Sequence, residues 1–146
     1  SGINDSAAAL VVVSGSFVKE RGLTPIARIV SYGSRGVAPE IMGMGPAPAS
    51  RKALEAAGLT FDDMGVIELN EAFASQAIAC IRDLGISMDK CNLNGGGISI
   101  GHPIGATGAR ITYSLAMQLK KRNLRYGLSS LCIGGGQGFS IILERV

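Results

Sequence analysis

The chain has 146 residues, of which 47% are hydrophobic and 17% charged, as in one globular domain with a substantial core. Its 14 basic and 11 acidic side chains leave a formal charge of +3, and aromatic residues are not interleaved with the basic ones as on nucleic-acid-binding surfaces. No apolar stretch reaches the roughly 18 residues that a bilayer requires. We therefore expect neither a nucleic acid nor a membrane as partner.

The three cysteines, Cys80, Cys91 and Cys132, show no CxxC spacing. They predict neither a disulfide framework nor a zinc site, and we expect no bound metal. This cysteine use favours a reducing compartment, which we take to be the cytoplasm, with an organellar matrix as the alternative. Because the chain opens on Ser1 and not on methionine, we expect a processed or truncated product.

The first third of the chain predicts a strand, a helix, a second strand and a loop. The apolar run AAALVVV at residues 7–13 predicts a strand that is buried on both faces. Residues 14–21 predict a short helix that ends at Gly22, and residues 26–32 predict a second strand. Residues 33–48 contain seven Gly and Pro residues and predict a long loop of the kind that contacts ligands.

The middle of the chain predicts a helix, a strand and another helix, at residues 48–57, 66–69 and 70–84. Asn70 lies where this strand gives way to the helix. It is either an ordinary N-cap of the helix or a ligand-contacting group, because ligands of α/β proteins bind at the carboxyl ends of strands. The sequence leaves both interpretations open.

The last part predicts a brief strand at residues 91–93, a helix at residues 106–122 and a hairpin of two strands at residues 126–133 and 139–143. Strands and helices therefore alternate along most of the chain. This order predicts an α/β layered domain with a mixed sheet.

Residues 94–110, NGGGISIGHPIGATGAR, contain the only histidine of the chain and six glycines. Each glycine costs backbone entropy on folding, so such a cluster needs a purpose. Pro103 restricts the backbone directly after His102. A lone histidine is most often a hydrogen-bonded bystander, but these neighbours favour a functional role for His102.

Cys132 lies at the end of a predicted strand and is followed by glycines, in the sequence CIGGGQG. A buried structural cysteine is the ordinary interpretation, and we apply it to Cys80. The backbone N–H groups of glycines are unobstructed, so the sequence around Cys132 favours a site where another molecule approaches the backbone.

Asn70 in NEAFA, His102 in GGGISIGHPIGATGAR and Cys132 in CIGGGQG, in this order and spacing, resemble the C-terminal half of the thiolase family, the acetyl-CoA acetyltransferases. The resemblance covers essentially the whole chain. It implies an α/β layered thiolase-like half-fold, with a mixed five-stranded sheet and helices on both faces. It also implies two parts: residues 25–146 as the thiolase C-terminal domain, and residues 1–24 as a strand and helix that belong with an N-terminal half.

The resemblance implies an acyltransferase that catalyses the reversible Claisen condensation of two acetyl-CoA molecules, or acyl-CoA thiolysis. By the same resemblance, a cysteine of the N-terminal half would be acylated, and His102 would activate it. Cys132 would be the acid/base at the acetyl methyl carbon. Asn70 would hold a water that forms one oxyanion hole with His102, and the backbone N–H of Gly134 would contribute to a second.

The resemblance also implies coenzyme A thioesters as substrates, with no resident cofactor. Ser1 would contact the pantetheine arm, and Met42, Ala72 and Phe73 would line the same tunnel. The implied partners are the N-terminal thiolase half and further copies in a homodimer or homotetramer. The acylated cysteine is absent from this sequence, so we expect no turnover from the chain alone.

Two alternatives remain open. A β-ketoacyl synthase relative would have a second histidine where Cys132 stands, but the chain has only one. A non-catalytic coenzyme A-binding or assembly module would not need an intact set of Asn70, His102 and Cys132.

Overall fold

The computed structural model describes residues 2–146, which form five α-helices, three short 3-10 helices and one sheet. The helices are α1 (Gly15–Arg21), α2 (Pro46–Ala57), α3 (Ala74–Leu84), α4 (Gly97–Ile100) and α5 (Ile104–Arg122). The strands are β1 (Ala27–Gly36), β2 (Met64–Leu69), β3 (Tyr126–Ile133) and β4 (Gln137–Arg145). The 3-10 helices are Pro39–Met44, Phe61–Asp63 and Met88–Lys90. None of the helices in this range is long and apolar enough to cross a membrane.

The sheet has the strand order β1-β4-β3-β2. Strands β3 and β4 form the predicted antiparallel hairpin, and β4 also pairs antiparallel with β1. Strand β2 pairs parallel with β3, so the chain between them must cross over the sheet, and it does so through α3 and α5. The mixed character predicted for the sheet is confirmed.

Helices cover both faces of the sheet, as predicted. Residues of a strand alternate between the two faces, and β2 shows the division. Ile67 and Leu69 belong to an apolar cluster with α2 and α3. Val66 packs on the opposite face against α5, through Leu115 and Leu119. We refer to these faces as the α2–α3 face and the α5 face.

The predicted five-stranded sheet is wrong, since the sheet has four strands. At residues 91–93 only a single parallel bridge forms, between Cys91 and Ile67. Asn92 has a φ of 49°, which ends the extended conformation. Its side chain replaces further strand pairing, because Oδ1 accepts from the backbone N–H of Leu69 at 2.9 Å and Nδ2 donates to the Leu69 carbonyl at 2.8 Å.

The strand predicted at residues 7–13 is also wrong, since these residues are exposed and form neither helix nor strand. A strand exists only where its backbone groups find a partner strand, and residues 2–146 offer none here. Helix α1 forms as predicted, with the Ser14 hydroxyl accepting from the Phe17 N–H and Gly22 in the left-handed conformation at its end. The division into residues 1–24 and 25–146 stays a prediction.

The long loop predicted at residues 33–48 is largely ordered structure. Strand β1 continues to Gly36, a 3-10 helix follows, and α2 begins at Pro46. Gly33 explains why the glycine content of this segment wrongly predicted a loop. A Cβ at this position would lie 2.7 Å from the backbone nitrogen of Ala53. This glycine lets helix α2 pack directly on strand β1, and does not mark a turn.

The helix predicted at residues 70–84 begins later than expected, at Ala74, and its N-cap residue is Phe73. Asn70 is therefore not the N-cap. Its backbone N–H donates to the carbonyl of Ser130 on β3 at 2.9 Å, so the pairing of β2 with β3 extends one residue beyond the strand. Of the two interpretations of Asn70, the N-cap is wrong, and the interpretation as a ligand-contacting group stays a prediction.

Candidate active site

The candidate site lies at the carboxyl ends of the parallel strands β2 and β3. Asn70 directly follows β2 and is bonded to Ser130 of β3, and Cys132 comes two residues later on the same strand. This edge is where α/β proteins bind ligands. The parallel pairing thus brings together residues that are 62 positions apart in the sequence.

Asn70 and His102 are in direct contact. The amide Nδ2 of Asn70 lies 3.3 Å from Nε2 of His102. Asn70 is only 1% exposed, whereas His102 is half-buried. Side-chain alternation along β2 directs Asn70 toward the α5 face, where the loop before α5 presents His102. The structure therefore unites two of the predicted catalytic residues.

Thr107 sets the tautomer of His102. The Thr107 hydroxyl lies 2.8 Å from Nδ1 of His102 and donates its own proton to the Pro103 carbonyl at 2.9 Å. Because a hydroxyl has a single proton, Nδ1 of His102 must be the donor to Thr107. Nε2 then carries a lone pair and accepts from the Asn70 amide. This neutral imidazole is ready to accept a proton at Nε2.

The pKa of His102 is held below its ordinary value, chiefly by burial and also by the positive charge of Arg110. Both effects penalise the imidazolium ion. At neutral pH the ring is therefore uncharged, and Nε2 is available as a general base.

The backbone around His102 is fixed from two sides. Gly101, with a φ of 90°, adopts a conformation that side-chain-bearing residues rarely enter. The backbone N–H of His102 donates to Oδ1 of Asn4 at 2.9 Å. The segment before α1 therefore touches the site, a contact that the sequence did not predict.

Cys132 is buried near the end of β3 and pairs with Gly138 across the hairpin. The hairpin lies so close to Gly45 that a Cβ at Gly138 has no room. Burial raises the pKa of the Cys132 thiol, so the thiol is protonated at neutral pH. Gly134 lies in the exposed turn of the same hairpin, and the space around its Cα is open.

No hydrogen bond joins Cys132 to His102 within residues 2–146. Cys132 acts instead on Cys80 of α3: the pKa of the Cys80 thiol is raised chiefly by burial and also by the charge of Cys132. The two cysteines thus share the α2–α3 face, whereas His102 and Asn70 meet on the α5 face. Both groups reach the same strand ends, so the three predicted catalytic side chains border one edge of the sheet from its two sides.

Three of the four residues predicted to contact coenzyme A belong to segments next to α3. Ala72 and Phe73 are in the turn that leads into α3, and Phe73 is 52% exposed. Met42 belongs to the 3-10 helix that packs on α3, where the Cys80 thiol donates to the Gly43 carbonyl at 3.3 Å. Ser1 lies outside the described residues. In the rest of the chain no group of three His, Cys, Asp or Glu side chains is arranged to hold a metal ion.

Three residues that sequence reasoning missed support the site: Thr107, Glu71 and Asn92. Thr107 orients His102, and Glu71 accepts from the Asn92 side chain at 2.9 Å and from the Ile98 N–H at 3.0 Å. The sequence held a signal for two of them: Thr107 is a polar residue one turn into the helix after His102, and Glu71 is an acid directly after Asn70.

Residues 23–145 match the family described as "Thiolase, C-terminal domain". The chain belongs to the thiolase family. It is 58% identical to an acetyl-CoA acetyltransferase of Syntrophomonas wolfei over 99% of this chain and 37% of that protein. It is 54% identical to the acetyl-CoA acetyltransferase of Escherichia coli K12 over 100% of this chain and 37% of that protein.

Thiolase structures share the fold. Human mitochondrial 3-ketoacyl-CoA thiolase, crystallised in complex with CoA, superimposes with a TM-score of 0.90 and 47% identity. The match covers 91% of this chain and 34% of that one. The predicted thiolase-like α/β fold is confirmed, and the chain spans 37% of the length of the curated relatives named above.

Proposed function

We propose that this chain is the C-terminal part of a thiolase that catalyses the reversible Claisen condensation of two acetyl-CoA molecules, or acyl-CoA thiolysis. The observation that carries the proposal is the contact between Asn70 and Nε2 of His102 at the carboxyl ends of β2 and β3. The names of the relatives, acetyl-CoA acetyltransferases, support the same reaction.

His102 is the general base in this proposal. Its Nε2 lone pair takes the proton of a cysteine thiol supplied by the N-terminal thiolase half, and the resulting thiolate attacks the acetyl thioester. The bond from the thioester carbon to the sulfur of coenzyme A breaks, the departing thiolate takes the proton of the Cys132 thiol, and the acetyl group remains on the cysteine. Because the pKa of His102 is lowered, the imidazole stays neutral, and can accept a proton, at a lower pH than an ordinary histidine can.

Cys132 is the acid/base for the second substrate. Its thiolate, left when the thiol has protonated the departing coenzyme A, removes a proton from the methyl carbon of acetyl-CoA. The carbanion then attacks the acetylated cysteine and forms the new carbon–carbon bond, and the released cysteine thiolate takes its proton back from His102. In thiolysis the Cys132 thiol returns that proton. The raised pKa of this thiol makes its thiolate a stronger base.

Asn70 and Gly134 stabilise developing negative charge. Oδ1 of Asn70 is buried and has no hydrogen-bond partner within residues 2–146, so it is free to hold a water. That water and Nε2 of His102, which carries a proton once it has taken that of the cysteine thiol, form one oxyanion hole, and the exposed Gly134 N–H contributes to a second. Removing one oxyanion-hole donor typically costs about 2.7–4 kcal/mol of transition-state stabilisation.

Coenzyme A thioesters are the proposed substrates, with no resident cofactor. Ser1 contacts the pantetheine arm, and Met42, Ala72 and Phe73 line the same tunnel. The proposed partners are the N-terminal thiolase half and identical copies in a homodimer or homotetramer, and the proposed compartment is the cytoplasm.

A chimera tests the function. This chain replaces the matching 37% of the Escherichia coli acetyl-CoA acetyltransferase, and acetoacetyl-CoA thiolysis and acetyl-CoA condensation are measured. We expect the chimera to be active, and His102→Ala and Cys132→Ala each to lower kcat by about 100-fold or more. Cys91→Ala is the matched control, because the half-buried Cys91 thiol donates only to the carbonyl of Ser87, at 3.4 Å, and this variant should keep the parent kcat.

The non-catalytic alternative has a different signature. A coenzyme A-binding or assembly module would keep coenzyme A affinity, yet the chimera would show no turnover although it is folded by circular dichroism. Near-normal condensation in the His102→Ala or Cys132→Ala chimera would contradict the assigned roles.

A further inference from the structure

Glu71 makes side-chain hydrogen bonds to two segments that follow it in the chain. Its Oε1 accepts from Nδ2 of Asn92 at 2.9 Å, and its Oε2 accepts from the backbone N–H of Ile98 at 3.0 Å. Asn92 is in turn bonded to both backbone groups of Leu69. One carboxylate therefore ties the end of β2, the turn at Asn92 and the first turn of α4 together.

Gly96 and Gly97 lie directly against Glu71. A Cβ at Gly96 would lie 2.5 Å from the carboxyl carbon of Glu71, so the carboxylate occupies the space that a side chain would need. A Cβ at Gly97 would lie 2.7 Å from the backbone carbonyl oxygen of Glu71. The glycine stretch is therefore fitted to Glu71 by direct contact.

The segment held by Glu71 ends at His102. From Gly96 the chain makes a single short helix, in which the Gly101 N–H bonds to the Gly97 carbonyl, and His102 follows at once. Asn70, the partner of His102, directly precedes Glu71. Both halves of the Asn70–His102 contact are thus anchored on the same carboxylate.

We propose that Glu71 is a positioning residue: its carboxylate fixes the segment from Gly96 to His102 so that Nε2 of His102 stays opposed to Asn70. The proposal rests on the proposed function for its kinetic consequence. The anchoring itself is independent of that function, because it depends on contacts that exist whether or not the site turns over.

The test uses the same chimera, with Glu71→Ala and Glu71→Gln. Glu71→Ala should lower kcat by about 10–100-fold with KM within about threefold, because a small misplacement of a catalytic group costs rate more than binding. Glu71→Gln keeps one acceptor oxygen and should fall between parent and Glu71→Ala. The acidic limb of the pH–rate profile should move to higher pH, since His102 loses part of the burial that lowers its pKa. Glu55→Gln, on the exposed side of α2, is the matched control and should match the parent.

Two glycine substitutions sharpen the test. In the parent, Gly96→Ala should be as damaging as Glu71→Ala, because its methyl group collides with the carboxyl group. In the Glu71→Ala background that methyl group has room, so Gly96→Ala should change kcat by less than about threefold, a non-additive pair typical of direct contact. Gly97→Ala faces the backbone of residue 71, so its cost should persist in both backgrounds.

Amide hydrogen exchange separates the two proposals. In Glu71→Ala, exchange of residues 96–102 should rise at least about tenfold while that of β3 and β4 stays unchanged. Unchanged exchange in this segment, or a lower melting temperature with parent kcat and pH profile, would overturn the positioning role. An inactive parent chimera would instead count against the proposed function, and exchange would still decide the role of Glu71.

Discussion

The two faces of the sheet differ in the size of their buried apolar clusters. On the α2–α3 face, nine buried residues form a continuous apolar cluster that includes Leu54, Ile67 and Ile142. On the α5 face, the apolar cluster is smaller, and buried polar groups continue it toward the strand ends: Glu68, Asn70, Thr107 and Gln118.

The polar groups of the α5 face are not all satisfied within the described chain. Oδ1 of Asn70, Oε1 of Gln118, and Nε and Nη2 of Arg110 are buried without hydrogen-bond partners in residues 2–146. Such groups cost stability, and proteins retain them where function requires them. The α2–α3 face has one such atom as well, Oε1 of Gln76, and it also carries Cys132. The two faces therefore differ in the size of the apolar cluster, which is larger on the α2–α3 face, and in the polar contact between Asn70 and His102, which lies on the α5 face.

The largest expected effect is on the α2–α3 face. Ile142→Ala removes a fully buried side chain and should lower the free energy of unfolding of the chain by about 2–5 kcal/mol. Ile29→Ala is the matched control, because Ile29 is 44% exposed, and it should cost under about 1 kcal/mol. Urea denaturation measures both. Equal losses of unfolding free energy in the two variants would contradict the expectation that the buried Ile142 stabilises the fold more than the exposed Ile29.

Glu68 on the α5 face should reduce stability at neutral pH. Burial, partly offset by the hydrogen bond from Gln118 and the charge of Arg110, raises its pKa from 4.5 to about 7. The folded protein therefore binds a proton more tightly than the unfolded chain, so this contribution favours folding below pH 4.5 and is lost as the pH rises to about 7. The loss amounts to about 3 kcal/mol.

Glu68→Gln tests this contribution, since glutamine is uncharged at every pH and its amide can donate to the unpaired Oε1 of Gln118. The variant should be more stable than the parent at pH 8, with little difference at pH 4.5. Denaturation curves at the two pH values give the comparison. Parallel pH dependence in parent and variant would show that folding does not raise the pKa of Glu68.

Thr107→Val probes the orientation of His102 with a smaller effect. Valine has the shape of threonine but leaves Nδ1–H of His102 without its acceptor, so the Nε2–H tautomer should appear and kcat of the chimera should fall about tenfold, or about 1.4 kcal/mol. The ¹⁵N chemical shifts of the imidazole nitrogens report the tautomer, and their assignment is unambiguous because the chain has one histidine.

Thr112→Val is the control for that change. Thr112 is on the same helix, and its hydroxyl donates only to its own turn, at the Gly108 carbonyl, 2.7 Å away. This variant should leave both the tautomer and kcat as they are. If Thr107→Val also leaves them so, the hydroxyl does not orient the ring.

The smallest effect belongs to the edge of the sheet. Arg28 and Arg125 both donate to the carboxylate of Glu144, and both arginine side chains are well exposed. Arg28→Ala should therefore cost only about 0.2–1 kcal/mol, and less at high salt. Denaturation at low and high ionic strength measures it. A loss as large as that of Ile142→Ala would be inconsistent with a solvent-screened pair.

Local signals predicted much of the fold. Helices α2 and α5 form within two residues of the predicted ranges 48–57 and 106–122, and the predicted hairpin of residues 126–133 and 139–143 forms as β3 and β4. The predicted strands at residues 7–13 and 91–93 failed for a common reason: whether an apolar segment becomes a strand depends on a partner elsewhere in the chain. Glycines at Gly33 and Gly96 were equally ambiguous, since close packing and turns both require them.

The sequence by itself determined the α/β class, the family resemblance and the identity of Asn70, His102 and Cys132 as the residues to examine, because these depend on residue types and short spacings. Only the tertiary structure decided that Asn70 meets Nε2 of His102, that Thr107 selects its tautomer and that Glu71 holds the intervening segment. Hydrogen bonds have strict limits of distance and direction, and side chains on separate elements meet those limits only once the elements have packed.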